Sequence, residues 1–388
     1  MSTTPNIIET INNRFYNLLI GLSNAQEVAG VDVEGKVKAE HSEQFDSRRA
    51  LLRVEKLAKR DMELNKRSEQ NFIDGISAQL NDVVTERLLN KLEDLDDVHY
   101  KVLGLNDNLP EILDALSVRA VSIAKLEPLI AETGWLATDL LKLVNTPKFR
   151  KTDRLGKVVV VENLKMALSF IGIENLKMLI PAKIFKRAIP QITDPFPAFK
   201  NRIWEHALAS AISCQHMAKL NKAESSHAFT LGMFHELGKL AIAKLYFRTF
   251  DETHREALIE AHDNLKREEH TALQKIAPSS DYLLALIWEH SQPLSAKIIE
   301  KMSMKRVFIA NAMQEFANKV PYKTMTPLAQ VLLQGNGYSK FNALKSVKLI
   351  TTDEAKLFLK SLHITPTKLQ AMKSIDTSRL NISTEDEE

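Results

Sequence analysis

The stretch that most limits the fold is residues 201–246, which predicts two helices joined by a short turn. On the first helix, apolar residues recur at helical spacing: Trp204, Ala207, Leu208, Ala211 and Ala218. Residues 221–227 are polar and predict the turn. Residues 228–245 are apolar around most of a helical circumference, which is typical of a buried helix. We therefore predict an all-α protein built around this pair.

Polar residues of the pair also fall at helical spacing. His206 lies beside the apolar stripe of the first helix, on the same flank as Ser210 and Ser213. On the second helix, at about 100° per residue, small and polar residues share one arc: Ala228, Gly232, His235, Glu236 and Lys239. One groove of that helix is therefore lined by small and polar side chains in turn.

Composition and charge exclude several classes of protein. Cys214 is the only cysteine, which excludes an internal disulfide and favours a reducing compartment. The first residues show no secretory signal pattern, and no apolar run reaches the roughly 20 residues of a bilayer span. The net charge is only +3, without the dense basic stripe of a nucleic-acid-binding surface. We predict a cytoplasmic protein with no membrane span and no nucleic-acid partner.

The segment 36–103 is heavily charged, with one glycine, Gly75, and no proline. Its later part carries an apolar row at helical spacing: Phe72, Ile73, Ile76, Leu80, Val84, Leu88, Leu92 and Leu95. One or two long amphipathic helices are predicted. Two interpretations stay open, because such a row can pack on the chain's own core or form a docking or dimerising surface.

The segment 104–110 predicts a boundary, and a series of short helices follows it. That series ends at Leu141, Val144, Asn145, Thr146 and Pro147. Asn145 is predicted to end a helix and to satisfy free backbone groups with its side chain, with a ligand contact as the alternative. Further on, 321–378 is predicted to be helical with an interruption at Gly335 and Gly337.

These motifs together resemble the HDOD domain, the HD-related output domain of the HD superfamily of metal-dependent phosphohydrolases. The residues that carry the resemblance are Trp204, His206, Ala228, Phe229, Gly232, His235, Gly238 and Lys239, with the 141–147 element. Glu236 stands where the family has an aspartate. The resemblance implies a compact multi-helix HD-like domain at 104–320. A helical extension at 1–103 would precede it, and a helical segment with an acidic tail at 321–388 would follow.

The resemblance also implies a set of metal ligands. In active relatives, imidazoles and carboxylates hold divalent ions that activate water. By order along the chain, the corresponding residues are His206, His235, Glu236, His270 and His290. Asn311 aligns with the family's final aspartate, and His290-Ser291 replaces a pair of histidines. The segment 291–296 lacks the Gly-Tyr-Pro motif of the branch that cleaves cyclic dinucleotides.

The two altered acidic positions should weaken metal binding. Glu236 keeps its charge but moves the carboxylate by about one bond length, ~1.5 Å, and coordination tolerates only about 0.2 Å. Asn311 loses the negative charge, and the charge of oxygen ligands tunes affinity. We therefore expect no cofactor and a degenerate site. In the simpler interpretation, His206 and His235 bond to each other or to backbone, and Glu236 and Lys239 form an exposed stripe. His270 would then lie on a helix surface, and His290 would cap its helix.

By resemblance, the function implied is that of a bacterial signal-transduction module. It would act as a regulator or scaffold on signalling proteins, without turnover, through the flanking helices at 36–103 and 321–378. A homodimer through the N-terminal helices is one form of that contact. One alternative is a metal-dependent phosphohydrolase that uses the five ligands, with Glu236 and Lys239 as catalytic residues and Lys239 near a substrate phosphate. Another is a pocket that senses a nucleotide without cleaving it.

Overall fold

The computed structural model describes residues 6–31, 53–106, 108–147, 149 and 160–382, and these contain 17 α-helices and no β-strand. The predicted all-α class is therefore confirmed. The chain opens with α1 (Ile7–Ile20), α2 (Leu22–Ala29) and the long α3 (Arg53–Glu93). A π-helical turn, Asp97–Val102, follows α3. None of the helices in these ranges is long and apolar enough to cross a bilayer.

Five helices lead to the central pair: α4 (Asn108–Ser117), α5 (Ile123–Glu132), α6 (Gly134–Val144), α7 (Leu164–Ile171) and α8 (Ile173–Ala188). Asn145 ends α6. Its Nδ2 donates to the carbonyls of Leu141 and Val161, both at 2.9 Å, and its Oδ1 accepts from the Val161 amide at 2.9 Å. The predicted role of Asn145 as a helix-ending residue that satisfies backbone groups is confirmed.

The remaining helices form the centre and the C-terminal part of the core. They are α9 (Ala198–Leu220), α10 (Ser225–Phe234), α11 (Leu237–Asp263), α12 (Arg267–Leu273), α13 (Ser280–Lys301), α14 (Ala310–Ala317), α15 (Pro327–Ser346), α16 (Thr352–Ser361) and α17 (Pro366–Lys373). Helix α9 packs between α10 and α15, and α11 packs between α13 and α3. The helix pair predicted from the sequence therefore lies at the middle of the molecule.

The second helix of that pair is broken, which corrects the prediction of one helix over 228–245. Helix α10 ends at Phe234 and α11 begins at Leu237, so His235 and Glu236 lie in the turn between them. The Ser295 hydroxyl on α13 donates to the His235 carbonyl and accepts from the Gly238 amide, both at 2.8 Å. A side chain from a distant helix thus satisfies backbone groups that the break leaves free.

The two glycines of α15 do not interrupt it, which corrects a second prediction. Helix α15 runs unbroken through Gly335 and Gly337. A Cβ at Gly335 would lie 2.4 Å from the Cys214 sulfur and 2.9 Å from the Cys214 nitrogen on α9. Glycine is therefore needed at this position for close packing of two helices, and not for a turn.

The long helix α3 has two different halves. In its second half Leu80, Val84 and Leu88 are buried, and the helix as a whole packs on α11, α12 and α13. In its first half Leu64 and Phe72 are exposed. The interpretation that the apolar row packs on the chain's own core holds for the second half, while Phe72 lies outside that contact. The predicted helical region 36–52 lies outside the described residues.

Helix α1 is part of the same core. Its residues Ile11, Phe15 and Leu19 are almost fully buried against α9, α15 and α16. Arg14 forms an ion pair with Glu354 of α16 at 2.8 Å and donates to the Leu349 carbonyl at 3.2 Å. The first helix of the chain is thereby fixed on the face of the molecule where α9 and α15 meet.

Candidate functional site

The helix pair brings two histidines and one carboxylate together. His206 comes from α9, and His235 and Glu236 come from the turn between α10 and α11. Glu236 Oε1 lies 3.0 Å from His235 Nε2 and 3.6 Å from His206 Nε2. The three residues are exposed by only 1–4%. We call His206, His235 and Glu236 the histidine–glutamate cluster.

Hydrogen bonds on the outer side of each imidazole fix its orientation. His235 Nδ1 lies 2.7 Å from the Gly232 carbonyl, which can only accept, so Nδ1 carries the proton. His206 Nδ1 lies 2.9 Å from Ser339 Oγ, which donates its own proton to the His206 carbonyl at 3.3 Å and so accepts from Nδ1. In the neutral form, both imidazoles therefore direct an Nε2 lone pair inward. The sequence interpretation that the two histidines bond to each other is wrong, whereas the backbone bond of His235 is present.

A lysine neutralises the carboxylate of the histidine–glutamate cluster. Lys239 Nζ donates to Glu236 Oε1 at 2.6 Å, one helical turn along α11. Lys239 is itself 3% exposed, so the interpretation of Glu236 and Lys239 as an exposed stripe is wrong. The ring of Tyr16 lies 4.7 Å from the same ammonium. The pair is therefore a buried ion pair with an aromatic side chain against it.

The electrostatics of the cluster follow from burial and from this ion pair. Burial alone would raise the pKa of Glu236, but Lys239, His235 and His206 together hold that pKa well below its usual value. Burial would lower the pKa of Lys239, but Glu236 and Tyr16 raise it above its usual value. Burial lowers the pKa of His206 to about 3, against the opposing effect of Glu236. Near neutral pH the cluster holds a carboxylate, an ammonium and a neutral His206.

Helix α1 closes the site from one side. The Phe15 ring lies 4.4 Å from the His206 ring, centroid to centroid. A second buried lysine, Lys340 of α15, donates to Asn12 Oδ1 at 2.8 Å and lies 5.2 Å from the Tyr16 ring. Burial, aided by Lys239, lowers the pKa of Lys340 to about 7. Sequence reasoning missed these contacts, because α1 and α15 lie far from the helix pair in sequence.

The structure does not bring the other predicted ligands to this site. Within the described residues, the only group of three metal-ligating side chains close enough to share an ion is the histidine–glutamate cluster, with ligand atoms within 4.8 Å of one another. His270 is half-buried on α12, and its ring lies 6.1 Å from that of His262. This agrees with the simpler interpretation of His270 as a helix-surface residue.

His290 and Asn311 also lie outside the cluster. His290 is in the middle of α13, with Nε2 3.7 Å from Glu289 Oε2, so the interpretation as a helix cap is wrong. Asn311 is exposed on α14 and donates to Glu315 Oε1 at 3.0 Å. Order along the chain mapped both residues onto the family's pattern, but their helices carry them elsewhere.

The residues present do not fit a divalent cation as they are arranged. Two histidines and one glutamate match in number a known zinc ligand set, and His206 Nε2, His235 Nε2 and Glu236 Oε2 lack hydrogen-bond partners. However, the Lys239 ammonium binds Glu236 Oε1. A divalent ion about 4 Å from that ammonium would be repelled by about 8 kcal/mol at an effective dielectric constant near 20. A metal ion would have to displace the lysine.

An all-helical core in which a histidine of one helix meets a His-acidic pair beyond the next defines an HD-type domain. Residues 104–304, just over half of the chain, match the HDOD domain family, so the chain belongs to that family. Among solved structures, the chain is similar to a protein from Shewanella amazonensis SB2B named "putative metal-dependent phosphohydrolase", at 14% identity and a TM-score of 0.39. That similarity covers 76% of this chain and 99% of the other. No curated protein matches the chain.

Proposed function

We propose that this chain is a regulatory or scaffolding module in bacterial signal transduction, acting through protein contacts rather than turnover. The observation that carries the proposal is the buried Lys239–Glu236 ion pair, 2.6 Å long, in the position where active relatives need a carboxylate free to hold a metal ion. Membership of the HDOD family supports the same class of function. The cytoplasm is the compartment we propose for it, since Cys214 is buried and free.

The burial of the histidine–glutamate cluster supports a non-catalytic role. A hydrolase must admit both water and a phosphoester to its metal ion. Here His206, Glu236 and Lys239 are at most 3% exposed, and Phe15 packs directly on the His206 imidazole. Helix α1 covers one side of these atoms through Phe15, and α1 itself buries Ile11, Phe15 and Leu19 in the core.

The first half of α3 is the surface that we propose for protein contacts. Leu64 and Phe72, two large apolar side chains on the same side of this half, are 51% and 44% exposed. Lys66 and Arg67 lie between them in the sequence, whereas Glu69 is already paired with Lys275 of the same chain, at 2.5 Å. A second copy of the same helix can cover the exposed apolar side chains of this half, so we propose a homodimer through α3.

The second candidate is a metal-dependent phosphohydrolase, favoured by one observation. His206 Nε2, His235 Nε2 and Glu236 Oε2 are buried and have no hydrogen-bond partner, and buried polar atoms of this kind are usually satisfied. Buried imidazole nitrogens and a carboxylate within 4.8 Å of one another suit a bound cation. This function requires Lys239 to leave Glu236, and then Lys239 becomes available to a substrate phosphate.

The test is made on the full-length chain. We expect no phosphodiesterase or phosphatase turnover with Mn²⁺, Fe²⁺ or Mg²⁺ supplied, and no difference between the wild-type protein and His235→Ala. Metal content is measured on the same samples. Turnover that disappears in His235→Ala would replace the proposed function with the hydrolase. Binding of a nucleotide without cleavage would instead indicate a sensor.

A further inference from the structure

Three electron-rich groups face one another in the histidine–glutamate cluster. In the neutral form, the outer hydrogen bonds to Gly232 and Ser339 leave each imidazole with an Nε2 lone pair on the inner side. Glu236 adds a carboxylate oxygen at 3.0 Å from one of these nitrogens and 3.6 Å from the other. Buried acceptors at such distances need a positive charge or a shared proton among them to offset their desolvation and mutual repulsion.

The positive charge that the structure supplies is Lys239. We infer that the Lys239 ammonium is the resident cation of the histidine–glutamate cluster, in place of a divalent metal ion. Its Nζ lies 2.6 Å from Glu236 Oε1, the oxygen nearest to both imidazoles. The inference rests on the proposed function, and it adds that Lys239 makes the folded state independent of metal.

Contacts from α1 hold the ammonium in this position. The Tyr16 ring lies 4.7 Å from Lys239 Nζ, within the range of a cation–π interaction. Tyr16 is in turn fixed edge-on against Trp288 of α13, with ring centroids 5.2 Å apart. Helix α1 lies outside residues 104–304, so these contacts come from a part of the chain beyond the family match.

The second buried lysine provides a matched control. Lys340 is as deeply buried as Lys239, at 4% against 3% exposure. It donates to Asn12 Oδ1 at 2.8 Å and lies over the rings of Phe15 and Tyr16. Among the described residues, Lys340 forms no hydrogen bond or ion pair with Glu236. Removing Lys340 therefore deletes a buried amine beside the cluster without freeing the carboxylate.

The experiment compares Lys239→Met with Lys340→Met in the full-length protein. Zn²⁺ and Mn²⁺ binding is measured by calorimetry, metal content by elemental analysis, and the melting temperature with and without metal. We expect Lys239→Met to bind about one equivalent of metal ion, and we expect the bound ion to raise its melting temperature. Wild type and Lys340→Met should bind the metal ion at least about a hundredfold more weakly than Lys239→Met does, because the positive charge of Lys239 remains and repels the ion. Adding His235→Ala to Lys239→Met should abolish the uptake.

A second variant covers the case in which Lys239→Met cannot fold without metal. The double variant Glu236→Gln/Lys239→Met removes both charges, so it should fold without metal and bind none. Lys239→Met should then refold only when Zn²⁺ or Mn²⁺ is present. The inference is overturned if Lys239→Met takes up no metal, or if wild type binds it equally tightly. Metal in wild type without turnover overturns the inference alone, whereas turnover lost in His235→Ala overturns the proposed function.

Discussion

At the turn between α10 and α11, one glycine allows two helices to meet. Gly238 follows the histidine–glutamate cluster by two residues, and its amide donates to Ser295 Oγ at 2.8 Å. A Cβ at this position would lie 2.1 Å from the Ser291 carbonyl oxygen and 2.8 Å from the Ser295 amide nitrogen. Both atoms belong to the backbone of α13, so neither can move away cheaply. The geometry of the cluster depends on this close approach.

We therefore expect Gly238→Ala to lower the free energy of unfolding by at least about 2–3 kcal/mol, the cost of forcing an extra carbon into a packed interior. Gly75→Ala in α3 is the matched control, because a Cβ there meets no atom within 4 Å. The free energy of unfolding of that variant should rise by up to about 1 kcal/mol, because alanine has a higher helix propensity than glycine. Denaturant unfolding of both variants measures the difference, and equal effects would show that the Gly238 contact does not matter.

Some residues in and around the cluster could be predicted from the sequence, and others could not. His206, His235 and Glu236 were predicted as neighbours because α9 carries the first and the end of the next helix leads into the other two, and adjacent helices usually pack together. His270 and His290 were placed by order alone, which does not specify the face of a helix. Lys340 and Phe15 were missed, since a contact between α1, α9 and α15 leaves no periodic signal in a single sequence.

At the scale of elements, α1 is joined to α16 by the ion pair of Arg14 with Glu354, in which Glu354 accepts several hydrogen bonds. Glu354 accepts from Arg14 through both oxygens, at 2.8 and 2.9 Å, and from the Thr351 amide at 2.8 Å. The hydrogen bond from Arg14 lowers the pKa of Glu354 to about 2. The same glutamate completes the capping box that begins α16. One carboxylate thus fixes the start of a helix and the position of another.

This ion pair makes the stability depend on pH in a defined direction. The unfolded carboxyl binds a proton near pH 4.3, while the folded one binds it only near pH 2. Between these values the unfolded state binds more protons, so the contribution is complete above about pH 5 and is lost as pH falls towards 2. We expect Arg14→Ala to be about 1–3 kcal/mol less stable at pH 7 and to show a shallower decline between pH 5 and pH 2.

Arg255→Ala is the control for that measurement. Arg255 pairs with Asp251 at 2.6 Å, but both side chains are about two-thirds exposed. Exposed pairs of this kind contribute about 0–1 kcal/mol, so its unfolding curves should follow those of wild type at every pH. If Arg14→Ala also follows wild type, the Arg14–Glu354 pair does not contribute to holding α1.

Helix type was easier to predict than helix ends. The scarcity of glycine and proline over 36–103 predicted a long helix, and α3 runs for 41 residues. The break at His235 and Glu236 was not predictable, because Ser295 of α13 satisfies the backbone there from 60 residues away along the chain. Gly335 was interpreted as an interruption, although it serves the packing of α15 on Cys214. In each case a contact distant in sequence outweighed the local signal.

At the scale of the whole molecule, α3 connects a packed core to an exposed surface. Leu88 is fully buried in its second half, whereas Leu64 is 51% exposed in its first. Leu88→Ala should lower the free energy of unfolding by about 2–5 kcal/mol because it leaves a cavity. Leu64→Ala should change it by no more than about 0.5 kcal/mol. Chemical denaturation of the two variants measures both changes. A large effect of Leu64→Ala would show that the isolated chain buries this half of α3.

The exposed half of α3 also determines the assembly that we propose. A large apolar side chain that stays exposed on a helix adds little to the stability of the monomer. It contributes to the free energy of association when a second copy covers it. We expect wild type to be a dimer by light scattering, and Leu64→Glu or Phe72→Glu to be monomeric with an unchanged melting temperature at low protein concentration. Leu357→Glu, at a leucine of α16 that is 59% exposed, should remain a dimer. A monomeric wild type, or a dimer that survives both α3 changes, would exclude this surface as the site of self-association.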